Sequence, residues 1–248
     1  MTPVRLADAA FSDRWRLNVN ERPGCRDCAV RHRVFCGGVP EDHVDDLEAD
    51  HEMLQVAEGH MLYLEGEAAE AAYIVKGGAL KLYKLLPDGR RQITEFALPG
   101  DWVGLKQNGR YVHSLQAIVP STLCEFSCAH MTSLSARFAG VEAARQQQWQ
   151  HALAAAQEQI LMLGRMNPIE KLSSFLVNLH HRREVAGLHG NPIYLPMSRS
   201  DIADYLGVTI ETVSRSMSRL RSCGLIEPLD RTRIQVIDLA MLRRQAGQ

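Results

Sequence analysis

The chain has 248 residues, 46% hydrophobic and 23% charged, with a net charge of −1 at pH 7; this is the composition of a globular protein with room for one large domain or two ordinary ones. No run approaches the ~18 consecutive apolar residues of a membrane span, and residues 1–20 lack the apolar centre of a signal peptide, so a cytoplasmic protein without a membrane partner is expected. In that reducing compartment the six cysteines read as metal ligands or buried thiols rather than disulfides.

Residues 1–24 show no periodicity, and the first dense signal follows them. Cys25, Cys28 and Cys36 fall within twelve residues. A lone C-x-x-C says little, but three cysteines this close in a reduced chain point to a metal or iron–sulfur site. A fourth thiolate would have to come from Cys124, Cys128 or Cys223. Arg26, Arg31, His32 and Arg33 lie among the three and are expected to favour thiolate over thiol, and Val34 and Phe35 to shield the site from water. A four-cysteine zinc knuckle is the alternative, with His32 as a further zinc donor, and simple buried thiols are another.

From about Leu54 to Met131 short apolar runs (Met61–Leu64, Tyr73–Val75, Leu80–Tyr83) alternate with turn signals at Glu65-Gly66, Gly77-Gly78, Asp88-Gly89, Pro99-Gly100 and Asn108-Gly109. Many short strands at near-even spacing predict an all-β sandwich or barrel. The character changes near Val141. Residues 141–166 hold no proline and are rich in Ala, Gln and Leu, which predicts one long helix. Trp149, Leu153, Ala156, Ile160 and Leu163 recur at spacings of 4, 3, 4 and 3, the apolar seam of a coiled coil, so a homodimer is expected; a stripe lying on the chain's own domain is the alternative. Pro168 starts the next helix, which runs from 169 to 183 with Leu172, Phe175, Leu176 and Leu179 on one face. A turn at His189–Pro192 and a strand at 193–195 follow.

Ser198 and Asp201 form a capping box at the start of a short helix. Ala203 is small where two helices must cross, Gly207 permits a tight turn, Val208 is expected to be buried in it, and Thr209 caps a second helix over 210–222. Val213, Met217 and Leu220 face inward. Glu211, Ser214 and Arg215 are left together on another face, in the first turns of the helix, where a helix-turn-helix reaches base edges in the major groove. Arg215 can fork to guanine O6 and N7, and Glu211 can accept from cytosine N4. Arg199 and Arg219, with Arg221, are expected on phosphates of double-stranded DNA, beside a β-wing at 231–236 that carries Arg231 and Arg233. The charge is uneven in the same sense but only mildly: 15 basic against 19 acidic residues over 1–140, and 11 against 8 over 168–248. No Ser/His/Asp triad, phosphate loop or paired-carboxylate motif is visible, so the chain is not expected to be an enzyme.

A β-roll, a long helix and a winged helix-turn-helix, in that order, resemble the Crp/Fnr family of bacterial regulators over about residues 20–240. The stretch Tyr205-Leu206-Gly207-Val208-Thr209-Ile210-Glu211-Thr212-Val213-Ser214-Arg215 resembles the FNR branch in particular. The resemblance implies an α+β fold: an N-terminal segment (1–50) with the cysteines, a cyclic-nucleotide-binding-like jelly roll (51–140), a dimerisation helix (141–167) and a DNA-binding domain (168–248). It implies inverted-repeat operators with TTGAT-type half-sites, read by Glu211, Ser214 and Arg215, with Thr209 among the DNA-contacting residues. It also implies a [4Fe-4S] cluster on Cys25, Cys28, Cys36 and Cys124, lost to oxygen, with zinc as the alternative. Contact with RNA polymerase is implied through the Pro87–Arg91 hairpin. The family's cyclic-nucleotide pocket needs a Gly-Glu pair and an Arg before Ser or Thr; Gly104-Leu105-Lys106 and Tyr111-Val112-His113-Ser114 stand there instead, so no cyclic nucleotide is expected. A cluster-free or zinc-containing relative answering to haem, nitric oxide or redox state is the other function compatible with this resemblance.

Overall fold

The computed structural model describes residues 24–49, 51–187 and 192–248. The N-terminal stretch before Gly24 and most of the expected turn at His189–Pro192 lie outside them. Contacts divide the chain into two compact units: the chain up to Lys84 together with Thr94–His151, and Leu85–Ile93 together with Ala152–Gln248.

In the first unit, single turns of 3-10 helix (Arg31–Arg33, Phe35–Gly38, Glu41–His43) lead into a short helix α1 (Val44–Ala49). Ten strands follow: β1 (Glu52–Val56), β2 (Met61–Tyr63), β3 (Ala71–Gly77), β4 (Leu80–Leu85), β5 (Arg91–Ala97), β6 (Trp102–Val103), β7 (Lys106–Gln107), β8 (Arg110–Tyr111), β9 (Ser114–Ala117) and β10 (Ser121–Ser127). They make two antiparallel sheets, ordered β1-β10-β3-β6 and β2-β9-β4-β5, with β7 and β8 as a separate hairpin. The expected turns form where glycine can take positive φ. At Asn108-Gly109 both residues are left-handed (φ 52° and 73°), as a two-residue hairpin between right-twisted strands requires.

Strand alternation sorts the side chains of β3 and β10 into two cores. Tyr73, Val75 and Leu123 face the roll's interior with Leu80, Leu82, Val103 and Leu115. Ile74, Cys124 and Phe126 face outward, where they meet Val30, Val34, Phe35, Cys36, Val39 and Leu47 of the N-terminal segment. Cys124 and Ile74 are direct cross-strand partners. The N-terminal segment therefore belongs to the same folded unit, held by apolar burial on the outer face of the sheet. The roll's interior is filled by aromatic rings: Tyr63 stacks on Tyr111 at 3.6 Å between centroids and on Tyr73 at 5.9 Å.

Helix α2 (Cys128–Arg137), capped by Ser127, and the first half of the long α3 (Ala139–Arg165), as far as His151, close this part. Gly38 and Gly140 touch backbone to backbone, since a Cβ on Gly38 would lie 2.2 Å from the Gly140 carbonyl carbon.

In the second unit, α4 (Pro168–Val185) begins with a capping box between Asn167 and Glu170. Strand β11 (Ile193–Tyr194), helices α5 (Arg199–Leu206) and α6 (Ile210–Ser222), strands β12 (Ile226–Pro228) and β13 (Arg233–Val236), and α7 (Leu239–Gln245) complete it. The three strands form one sheet, β11-β13-β12. No helix among the described residues is long and apolar enough to cross a membrane.

Candidate functional site

Cys25, Cys28, Cys36 and Cys124 line one pocket of the first unit, walled by Val30, Val34, Ile74 and Phe126 and by the cations Arg31 and Lys76. The space between these residues is about 310 Å³, including the part open to solvent. Cys36 and Cys124 are buried; Cys25 and Cys28 are half-buried at the mouth. Among the described residues, no three Cys, His, Asp or Glu side chains gather closely enough to grip a single ion.

Backbone turns hold the loop in this form. The Arg31 amide donates to the Cys28 carbonyl (3.1 Å), that of Gly37 to Val34 (2.9 Å) and that of Val39 to Cys36 (3.2 Å). Arg31 is itself anchored, through Nη1 to Glu41 Oε1 (2.7 Å) and Nη2 to the Val39 carbonyl (2.9 Å). His51 stacks on Phe126 (5.4 Å) and places Nδ1 3.9 Å from Cys25 Sγ.

The structure corrects two expectations about this loop. Of the four basic residues near the cysteines, only Arg31 lines the pocket; Arg26 pairs with Asp45 at 3.1 Å instead. The basic residues do not bring the thiols down. Burial pushes Cys25 up to about 11, helped by Cys28 and Glu48, and Cys124 up to about 12. It pushes Cys36 well above the usual thiol range. Removing a thiolate from water outweighs the attraction of nearby cations, so filling the pocket with a metal centre must expel protons. Phe35, fully buried, does not line the pocket; it packs edge-on against Phe126 (5.1 Å) and Trp102 (6.2 Å). Cys128 lies outside the pocket, with Lys106 Nζ donating to its Sγ at 2.9 Å, and Cys223 is exposed at the end of α6.

In the second unit, the Ser198 hydroxyl accepts from the Asp201 amide (3.0 Å) and Asp201 Oδ2 accepts from the Ser198 amide (3.3 Å), which starts α5. Gly207 ends it in the left-handed region (φ 64°), and a Cβ there would meet Leu163 Cδ2 at 3.2 Å. Thr209 caps α6 by accepting from the Thr212 amide (3.3 Å). Val213, Met217 and Leu220 are buried, while Glu211, Ser214, Arg215 and Arg219 are exposed. Its own backbone amide and the Thr209 hydroxyl hold the Glu211 carboxyl below the usual carboxylate range, so it presents an acceptor. Arg215 Nη2 rests on Thr212 Oγ1 (3.1 Å), and the Ser214 hydroxyl donates to the Ile210 carbonyl (3.0 Å).

Smaller corrections apply here. Val208 is half-buried rather than buried. Arg233 is turned to Asp230 (2.6 Å), which also accepts from the Thr232 amide (2.7 Å), and so ties the wing turn together. Arg199 is half-buried, and burial lowers its pKa. The hairpin tip from Pro87 to Arg90 is exposed, but its last residue is tied down: Arg91 clamps two carboxylates of α5, Asp204 Oδ2 (2.6 Å from Nη2) and Asp201 Oδ1 (3.0 Å). On α3, Leu153, Ala156 and Ile160 are exposed, Leu163 is half-buried, and Trp149 stands edge-on to Trp102 at 6.1 Å.

Sequence reasoning passed over Lys76, His51 and the Gly38–Gly140 contact, and took Arg91 as part of a polymerase-facing hairpin rather than as a clamp on α5. Each acts on a partner at least 25 residues away, and no local pattern marks it.

Comparison with known proteins agrees with both units. Residues 53–138 match the cyclic nucleotide-binding domain and residues 170–245 the Crp-like helix-turn-helix domain. The chain is similar to the nitrogen fixation regulation protein FixK of Bradyrhizobium diazoefficiens, 36% identical over 82% of this chain and 85% of the relative. It is similar to the anaerobic regulatory protein of Pasteurella multocida, 30% identical over 82% of this chain and 75% of the relative. The solved structure of FixK2 from Bradyrhizobium japonicum superposes with a TM-score of 0.73 at 33% identity, covering 79% of this chain and 96% of that one.

Proposed function

The chain belongs to the Crp/Fnr family of DNA-binding transcription regulators, which are not enzymes, and on that footing we propose that it is an oxygen-responsive regulator, active as a homodimer carrying a [4Fe-4S] cluster on Cys25, Cys28, Cys36 and Cys124. One observation carries this: four cysteines, one of them some ninety residues from the others, line a single pocket. The likeness to an anaerobic regulatory protein points the same way. The sensing input is assigned to this pocket rather than to the roll's interior, which Tyr63, Tyr73 and Tyr111 fill.

A cluster bound there supplies a centre that dioxygen attacks. The chain supplies the transmission. Cys36 sits between Phe35, which reaches Trp149 of α3 through Trp102, and Gly38, which abuts the first turn of α3. Tying the four sulfurs together fixes this loop against the helix; releasing them loosens it. Leu153 and Ile160, 63% and 69% exposed, with Ala156 between them, form the dimer seam, and burying each large side chain there contributes about 1–3 kcal/mol.

On DNA, Arg215, Glu211 and Ser214 read the half-site and must first let go of their present partners within α6. Arg219 and Arg199 hold phosphates beside Thr209. The exposed residues Asp88, Gly89 and Arg90 of the hairpin remain the surface offered to RNA polymerase.

Protein purified without oxygen should be brown, hold about four irons per chain, bind an inverted-repeat operator, and lose colour and DNA together in air. A colourless protein with one zinc per chain, binding equally with and without air, would refute the sensor. Arg215→Ala should weaken binding to the cognate operator by about 1–3 kcal/mol and to random DNA far less. Arg219→Ala should weaken both alike. Equal losses on the two DNAs for Arg215→Ala, in a salt-matched binding assay, would remove it from the base readers.

A further inference from the structure

Lys76 is 4% exposed, yet it lines the four-cysteine pocket. Strand parity puts it there. Tyr73 and Val75 of β3 face the roll's interior, so Ile74 and Lys76 face the opposite side, where Ile74 lies against Cys124 and Phe126. Its ammonium adds a positive charge to a wall that is otherwise largely apolar, with Val30, Val34, Ile74 and Phe126.

The other buried cation of the pocket, Arg31, is 3% exposed and already spans Glu41 and the Val39 carbonyl. Lys76 and Arg31 are the two cations that line the pocket with Cys25, Cys28, Cys36 and Cys124. Four thiolates on a doubly positive core leave two negative charges, more than Arg31 alone can offset in a wall this apolar.

We propose that Lys76 is a positioning residue of the pocket: its buried ammonium offsets the negative charge of the ligated sulfurs, and so sets how tightly the cluster is held and how readily it takes an electron. This rests on the cluster reading above. The proposal concerns charge, not shape, and two substitutions separate these. Lys76→Met keeps the length and burial without the charge; Lys76→Arg keeps the charge.

The full-length protein is reconstituted without oxygen and its visible absorption followed during competition with an iron chelator. Lys76→Met should lose its cluster about tenfold faster than wild type, the effect of one charge at short range in a partly buried site, and its reduction midpoint should move negative, because an electron is added beside one positive charge fewer. Lys76→Arg should restore most of both. Thermal unfolding of the metal-free Lys76→Met chain should remain a single cooperative transition, which shows that the pocket still folds. Cluster loss and midpoint both unchanged in Lys76→Met would overturn the proposal. So would a Lys76→Arg protein as leaky as Lys76→Met, because shape would then be the cause. Wild-type protein that takes up no cluster at all would instead sink the sensor reading, and this proposal with it.

Discussion

Serine in place of any one of Cys25, Cys28, Cys36 or Cys124 is expected to leave the anaerobically purified protein without its iron, while Cys128→Ser and Cys223→Ser keep the wild-type content. Iron–sulfur centres are held by thiolates, and a hydroxyl in the same place offers a hard oxygen that stays protonated at neutral pH. The four positions share one pocket, so each loss opens the same wall. Cys128 lies elsewhere: it sits at the β10–α2 junction, accepting from Lys106 and donating to the Ala69 carbonyl (3.4 Å). A misfolded variant would also lose iron, and the risk is greatest at Cys36, where a buried hydroxyl without a partner costs about 1–3 kcal/mol. Cys36→Ala guards against that, since a small apolar side chain suits a wall of Val30, Val34 and Ile74. Iron assay beside thermal unfolding of the metal-free chains settles it. Iron lost from Cys128→Ser but kept in Cys124→Ser would show that the fourth ligand is Cys128.

Gly38→Ala is expected to be among the most damaging single-methyl changes available to this chain. The added Cβ would stand 2.2 Å from the Gly140 carbonyl carbon and 2.3 Å from its oxygen and from the Val141 nitrogen. These are backbone atoms at the start of a 27-residue helix, not the ends of flexible side chains, so nothing can rotate aside. Overpacking of this kind costs about 1–3 kcal/mol, and more where the backbone must move. Gly140→Ala meets the same wall from the other side, 2.6 Å from the Gly38 carbonyl oxygen. Gly164→Ala is the control: it lies on the same helix with nothing within 4 Å of the new Cβ, and alanine there should stabilise by up to about 1 kcal/mol. Urea unfolding of the three metal-free variants gives the comparison. Gly38→Ala as stable as wild type would mean that the loop and the helix do not press on one another as the structure has them.

These two results would bear on one mechanism. The pocket reaches the long helix through the segment from Val34 to Val39, by the Gly38 contact and by the rings of Phe35, Trp102 and Trp149. A chain that keeps its iron yet carries Gly38→Ala would have the sensor without a firm lever.

The sequence by itself determined the reading head. The capping box of Ser198 and Asp201, the left-handed Gly207, the Thr209 cap and the split of α6 into a buried face (Val213, Met217, Leu220) and an exposed one (Glu211, Ser214, Arg215) all appear as expected. Each depends on neighbours three or four residues away, and such interactions are written in order along the chain. The roll and the long helix were legible for the same reason, through turn residues and periodicity. What only the tertiary structure decided is what distant segments do to each other. Lys76 enters the pocket because β3 pairs with β10 and the parity of that strand turns it outward. Arg91 meets Asp201 across 110 residues, and Gly38 meets Gly140. The state of the thiols was decided there too. Arginines beside the cysteines in sequence suggested thiolates; burial of the sulfurs, which no spacing reveals, raises them instead, because desolvation acts through every neighbour in space and charge only through those the fold brings near.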